Sequence, residues 1–167
     1  RRDELSKFST AIDRHLAESV ADGSLQKLAQ GLYYAPKKTA FGIAPPDEEQ
    51  LIKTFLKGDD YLITSPNYYN ALGLGSTQLY NTKRIYNHKR HEDIKLGNRV
   101  YQFRRKPKFP KKLTQEYLLV DMLNNLDTLA EDRQAITLTL RTKLPDLNNK
   151  ELERNANRYG TIAAKRL

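Results

Sequence analysis

The sequence predicts an α+β fold, and three observations support that prediction. Apolar residues recur at helical spacing in several stretches, they alternate at strand spacing in others, and no internal repeat is visible. The chain has 167 residues, 38% of them hydrophobic, which is enough for one domain or two small ones. The order of the patterns predicts a small N-terminal module, a mixed α/β middle and C-terminal helices.

The N-terminal module is predicted over residues 1–40. Ser9 is a plausible N-cap for its helix, and Gly23 is a plausible end. One face of that helix carries four apolar residues: Phe8, Ile12, Leu16 and Val20. Leu25–Ala35 then changes to strand periodicity around a Gln-Gly turn, which predicts a two-stranded hairpin. Residues 36–46, with prolines at both ends, are predicted to be a linker.

A helix followed directly by a hairpin is typical of the end of a winged helix-turn-helix, in which a recognition helix enters the major groove of DNA. The first helix of that motif is expected to lie upstream of Arg1, so the motif is predicted to be truncated. The DNA-contacting residues are predicted to be polar or basic side chains of the helix and the wing: Lys7, Ser9, Thr10, Arg14, Lys27 and Lys37.

A second, α+β domain is predicted over residues 46–167. Its elements are, in order, a helix from Pro46, a strand at Tyr61-Leu62-Ile63, a helix from Ser65, antiparallel strands over 83–105 and helices from about 113. The clearest hairpin joins Ile94–Leu96 to Arg99–Phe103 across Gly97-Asn98, a turn-forming pair. The apolar stripe over 118–126 is predicted to be core.

The formal net charge of +9 belongs to one segment of the sequence. Residues 83–112 contain twelve Lys and Arg against two acids, and the rest of the chain sums to −1. Cations interleaved with Tyr101 and Phe103 suit nucleic-acid backbones and unstacked bases. A solvated sheet edge is the alternative, but this density of charge favours an anionic partner: RNA, operator DNA or an acidic protein face. Residues 106–112 are interpreted as a linker because Pro107 and Pro110 interrupt them.

Three segments together resemble a known protein family. They are SLQKLAQGLYYAP at 24–36, SPNYYNALGLGSTQ at 65–78 and IKLGNRVYQFR at 94–104. Their order and spacing, over about residues 5–125, resemble the AbiEi-type antitoxins of bacterial type IV toxin–antitoxin (abortive infection) systems. The resemblance implies a winged-helix domain that represses its own operon by binding operator DNA. It also implies a second domain that counteracts a nucleotidyltransferase-like toxin, with or without direct contact.

On that resemblance, the second domain carries the antitoxin action through a basic surface. Its predicted members are the cations of the strands and of the turn between them: Arg84, Lys89, Arg90, Lys95, Arg99, Arg104 and Arg105. A general nucleic-acid-binding module without an antitoxin role is an alternative.

An enzymatic alternative is a magnesium-dependent nuclease, because Asp47 with Asp93-Ile94-Lys95 resembles an acid followed by acid-x-lysine. His88 and His91 could hold a metal ion, although a solvated turn is favoured. The sequence has no cysteine, P-loop or dinucleotide-binding glycine pattern. We therefore expect no catalytic residue, metal, cofactor or small-molecule substrate. The apolar runs are too short for a membrane span, so we expect a cytoplasmic protein without a membrane partner.

Overall fold

A computed structural model describes residues 1–8, 10–40, 42–73, 80–129 and 132–166, and it is an α+β fold. The α-helices of the described residues are α1 (Arg2–Leu5), α2 (Ile12–Ala21), α3 (Glu48–Leu56), α4 (Gln115–Asn124), α5 (Arg133–Lys143) and α6 (Asn149–Tyr159). The strands are β1 (Gln26–Ala29), β2 (Leu32–Tyr34), β3 (Lys37–Thr39), β4 (Gly42–Ala44), β5 (Tyr61–Thr64), β6 (Lys83–Asn87), β7 (Glu92–Leu96) and β8 (Arg99–Arg105). Four short 3-10 helices cover Pro66–Leu72, Leu126–Thr128, Leu144–Asp146 and Ala164–Arg166. No helix of the described residues is long and apolar enough to cross a membrane.

The chain forms two compact units, each built from two stretches of sequence. Unit 1 consists of Arg1–Asp60 and Asp93–Tyr101, and unit 2 of Tyr61–Glu92 and Gln102–Leu167. The first unit therefore extends beyond residue 40, where the sequence placed the end of the first domain.

Helix α3 belongs to unit 1 because the N-terminus of the chain is bonded to its last turn. Nη1 of Arg1 donates hydrogen bonds to the carbonyl oxygens of Thr54, at 3.2 Å, and Phe55, at 3.1 Å. The start of α3 is fixed locally, since Asp47 accepts a hydrogen bond from the backbone N–H of Gln50 at 2.8 Å. Lys57, in the left-handed conformation with φ 53°, ends the helix.

The predicted helix–hairpin pair of unit 1 is present, with a shorter helix. Helix α2 begins at Ile12 and buries Leu16, whereas Phe8 is 86% exposed and does not belong to its apolar face. The predicted cap, Ser9, lies outside the described residues. Strands β1 and β2 pair antiparallel across a turn in which Gly31 has φ 68°, a conformation that favours glycine.

The predicted linker over residues 36–46 is wrong, because β3 and β4 form a second antiparallel hairpin there. The hydroxyl of Tyr34, at the end of β2, donates a hydrogen bond to the carbonyl oxygen of Ala44, at the end of β4, at 2.6 Å. Both strands of this hairpin are largely exposed, so their side chains lack the apolar alternation that predicts a strand.

The larger sheet has the strand order β5-β6-β8-β7. Strands β5 and β6 pair antiparallel, with Leu62 opposite Tyr86. The backbone N–H of Lys106, just after β8, donates to the carbonyl oxygen of Asn87, at the end of β6, at 2.9 Å. The carboxyl ends of β6 and β8 therefore meet, and the sheet is mixed. The predicted hairpin across Gly97 and Asn98 is confirmed as β7 and β8.

Helix α4 is the centre of the core of unit 2, as its apolar stripe predicts. The side chain of Thr114 accepts a hydrogen bond from the backbone N–H of Tyr117 at 3.2 Å and caps the helix. The buried residues packed around α4 come from the 3-10 helix at 66–72, α4 itself, the following turn and α5: Tyr69, Leu72, Leu118, Leu119, Met122, Leu126, Ile136 and Leu140. The helix predicted from Ser65 is this 3-10 helix, which Gly73 ends.

Candidate anion-binding surfaces and pocket

The predicted DNA-contacting residues all belong to unit 1, and the five that are described are exposed: Lys7, Thr10, Arg14, Lys27 and Lys37. Ser9, the sixth, lies outside the described residues. Arg14 on α2 lies beside Glu18, with 3.7 Å between Nε and Oε1, so its charge is partly balanced. These side chains are accessible, as contact with DNA would require.

Unit 1 balances its charges, because it contains eleven Lys and Arg against eleven Asp and Glu. The guanidinium of Arg2 donates to both carboxylate oxygens of Asp13, at 2.6 and 2.5 Å, and these hydrogen bonds hold the pKa of Asp13 below its usual range. Nζ of Lys53 lies 2.6 Å from Oδ1 of Asp59. Unit 1 therefore has no net charge with which to attract a polyanion over a distance.

Unit 2 carries the whole net charge of the protein, because it contains eighteen Lys and Arg against nine Asp and Glu. The predicted basic surface divides between the two units. Lys95 and Arg99 belong to unit 1, where Nη1 of Arg99 lies 3.6 Å from Oε1 of Glu48. The other five members belong to unit 2: Arg84, Lys89, Arg90, Arg104 and Arg105.

Within unit 2, these five cations differ in accessibility. Lys89, Arg90 and Arg105 are exposed, and Arg104 is half-buried. Arg84 is only 7% exposed, so its assignment to a surface was wrong. The side chain of Asn87 holds the turn that presents the first two, since its Oδ1 accepts from the backbone N–H groups of Lys89, at 2.8 Å, and Arg90, at 2.6 Å.

A pocket of about 300 Å³ lies within unit 2. Its wall includes four cations, which are Arg84, Arg104, Arg105 and Lys106. The residues of the described chain that line it include no Asp or Glu. It is thus a concave site with a strongly positive wall, a combination that favours an anionic ligand.

A buried carboxylate lies behind this wall. Asp121 on α4 is fully buried, and it accepts hydrogen bonds from the hydroxyls of Tyr69, at 2.8 Å, and Tyr86, at 2.7 Å. Burial, together with the charge of Asp121, raises the pKa of both hydroxyls far above the usual value. Nδ2 of Asn125 lies 3.3 Å from Oδ1 of Asp121 and is a further donor. The carboxylate is therefore well supplied with donors, as a buried charge requires.

Lys106 joins the wall to this carboxylate. Its Nζ lies 3.3 Å from Oδ1 of Asp121 and 3.8 Å from the centre of the Tyr86 ring, a cation–π distance. Its side chain is 28% exposed, and burial lowers its pKa despite the neighbouring carboxylate. The linker interpretation of residues 106–112 was wrong for this residue, because its backbone pairs with the end of β6.

Sequence reasoning missed both Asp121 and Lys106. The signal for Asp121 was its position inside the apolar run Leu118–Leu123, where an acid on a buried helix face needs donors. No comparable signal identified its donors, because they lie 15 to 52 residues away along the chain.

The residues of the nuclease and metal alternatives have other contacts. Asp47 caps α3, the ring of His88 stacks on Phe109 with centres 4.8 Å apart, and Nδ1 of His91 accepts from the backbone N–H of Arg105 at 3.4 Å. Asp93 lies on β7. Within the part of the chain that the structure describes, no group of three or more His, Asp and Glu is placed to hold a metal ion.

Comparison with known proteins assigns no family to the chain. It matches no protein-family model, and no curated protein or solved structure shows significant similarity to it. The resemblance to AbiEi-type antitoxins, and the winged helix-turn-helix that it implies, stay predictions from the sequence.

Proposed function

We propose that the protein is a non-enzymatic antitoxin that also represses transcription of its own operon. The observation that carries the proposal is the division of charge between a neutral unit 1 and a unit 2 of net charge +9. Such a division suits two anionic partners bound in different ways.

Unit 1 is the proposed DNA reader. Helix α2 leads directly into the β1–β2 hairpin, the order of recognition helix and wing in a winged helix-turn-helix. Since unit 1 is neutral, it gains little from general attraction to phosphates. Its affinity for operator DNA then depends on a few local contacts, from Lys7, Thr10 and Arg14 near the helix and from Lys27 and Lys37 near the wing.

Unit 2 is the proposed antitoxin domain, acting against a nucleotidyltransferase-like toxin. Its exposed cations Lys89, Arg90 and Arg105 favour an anionic partner, and its excess of nine positive charges would speed the encounter. The partner is a nucleic acid or an acidic face of the toxin.

The repressor role is tested by gel shift of duplex from the protein's own promoter at several salt concentrations. Replacing Arg14, Lys27 and Lys37 by glutamine should abolish preference for the promoter over unrelated duplex. The matched variant, with Lys108, Lys111 and Lys112 replaced by glutamine, removes the same charge from exposed positions of unit 2. It should weaken binding to both duplexes alike and reduce the salt slope by up to about 2.7, at roughly 0.9 per phosphate contact. Unchanged promoter preference in the first variant would contradict the repressor role.

The antitoxin role is tested by co-expression with the nucleotidyltransferase encoded beside it. The wild-type protein should restore growth, and the double charge reversal Lys89→Glu with Arg105→Glu should abolish rescue. The double reversal Lys27→Glu with Lys37→Glu, in unit 1, is the matched control and should still rescue. If the unit 2 variant is folded and rescues fully, its exposed cations are not the active surface.

A further inference from the structure

The basic pocket of unit 2 has the electrostatic character of an anion site. Its four cations, Arg84, Arg104, Arg105 and Lys106, have one carboxylate near them, Asp121, which lies behind the wall and also binds two tyrosine hydroxyls. One negative charge does not balance four positive ones. The pocket therefore keeps an excess of positive charge directed at whatever enters it.

Arg84 supplies an independent sign of a missing acceptor. Its side chain is more than nine-tenths buried, it lines the pocket, and its Nη1 has no hydrogen-bond partner among the described residues. A buried donor without an acceptor costs free energy, more so when it is charged. An anion in the pocket would give the guanidinium the acceptor that the described protein residues do not.

Lys106 gives the same indication from the other side of the pocket. The ammonium is held at 3.3 Å from Asp121 and over the Tyr86 ring, so it is fixed rather than flexible. Burial still lowers its pKa, so Asp121 does not fully offset the loss of water around the charge. A second anion beside it would favour the protonated form.

We infer that this pocket binds the phosphate group of a nucleotide-sized ligand. Three guanidinium groups offer planar pairs of donors that match phosphate oxygens, and the ammonium adds a point charge. A phosphate monoester, with up to two negative charges and three terminal oxygens, can satisfy several of these donors together, whereas a carboxylate has one charge and two oxygens. The volume of about 300 Å³ lies at the lower end of the range of small-molecule pockets, roughly 300–1,000 Å³.

The phosphate could come from a free nucleotide or from the end of a nucleic acid, and both offer the same group to the pocket. The inference does not depend on the antitoxin or repressor roles. It is tested with the purified full chain, without toxin or promoter DNA, so that its failure and theirs are distinguishable.

The experiment is calorimetric titration with inorganic phosphate, adenosine 5′-monophosphate, adenosine, and a short oligonucleotide with either a 5′-phosphate or a 5′-hydroxyl. The nucleotide should bind at least tenfold more tightly than adenosine. Arg104→Gln should weaken nucleotide binding at least tenfold, since it removes a charged donor. Arg141→Gln is the matched control, because Arg141 is an exposed arginine of α5, outside the pocket, and this variant should bind as the wild type does.

The arms of the titration separate the two sources. Tighter binding of the free nucleotide identifies a small ligand, and tighter binding of the 5′-phosphorylated oligonucleotide than of its 5′-hydroxyl form identifies a nucleic-acid end. Protection of Arg104 from arginine-modifying phenylglyoxal by inorganic phosphate, read by mass spectrometry, supports the site without any substitution. Equal binding of adenosine and its monophosphate, equal effects of the two arginine variants, or no protection of Arg104 would overturn the inference.

Discussion

Unit 1 and unit 2 handle their charged residues in opposite ways. In unit 1 the ion pairs are exposed, as between Arg2 and Asp13 or between Lys57 and Asp3, and the charges sum to zero. Unit 2 has a large positive excess and buries Asp121 and Arg84. Exposed pairs contribute little to stability, whereas a buried charge is costly unless it is paired. The difference teaches that polar substitutions should be mild in unit 1 and severe in unit 2.

The largest expected effect follows from Asp121→Ala. The substitution leaves the ammonium of Lys106 and the hydroxyls of Tyr69 and Tyr86 without their buried acceptor. We expect the free energy of unfolding, measured by urea denaturation, to fall by about 3–5 kcal/mol, as when a buried ion pair loses one partner.

The matched control for this substitution is Asp127→Ala, which removes an exposed acid of the same unit and should change stability by less than about 0.5 kcal/mol. Equal effects of the two substitutions would show that burial of the carboxylate does not matter, and the contrast between the units would fail.

The next effect is loss of stability at alkaline pH, and it arises in unit 2. Burial raises the pKa of Tyr69, Tyr86 and Tyr117 above the ordinary value of 10.0. Above pH 10 the unfolded chain releases these protons while the folded chain keeps them, so stability falls by about 1.4 kcal/mol per proton and pH unit. Lys106, whose pKa is lowered from 10.5, acts in the opposite direction up to that pH, but it is one group against three.

Thermal unfolding between pH 8 and 11 measures this effect. The melting temperature should drop steeply above pH 10, and Tyr117→Phe should make the drop shallower, because one of the three ionisable hydroxyls is gone. A melting temperature that is flat to pH 11, or an unchanged slope in the variant, would argue against ionisation of these buried tyrosines as the cause.

The smallest effect is expected in unit 1, from Tyr34→Phe. This substitution removes one hydrogen bond between a hydroxyl and the carbonyl oxygen of Ala44, a neutral acceptor, and should cost about 0.5–1.5 kcal/mol. Tyr69→Phe, which removes a hydroxyl bonded to a buried carboxylate, should cost more, about 1.5–3 kcal/mol. If urea denaturation gives the reverse order, the two units do not differ in the way that their charges suggest.

The elements that the sequence predicted well are those that local rules decide. The hairpin at 26–34 has its glycine turn, α3 has its acidic cap, and α4 has its apolar stripe. The hairpin at 37–44 was missed because its exposed strands carry lysines rather than alternating apolar residues. In the candidate pocket, Arg84, Arg104 and Arg105 were predicted as basic surface residues, but nothing local distinguished the buried Arg84 from its exposed neighbours.

The sequence by itself determined the α+β class, the helix caps, the clearest turns and the total charge of +9, because each depends on neighbouring residues or on composition alone. Only the tertiary structure decided where that charge acts. It assigned residues 93–101 to unit 1, left the whole excess in unit 2, and brought Lys106 to Asp121 behind a pocket. The physical reason is that burial and the pairing of charges depend on residues distant in sequence, and periodicity carries no record of those partners.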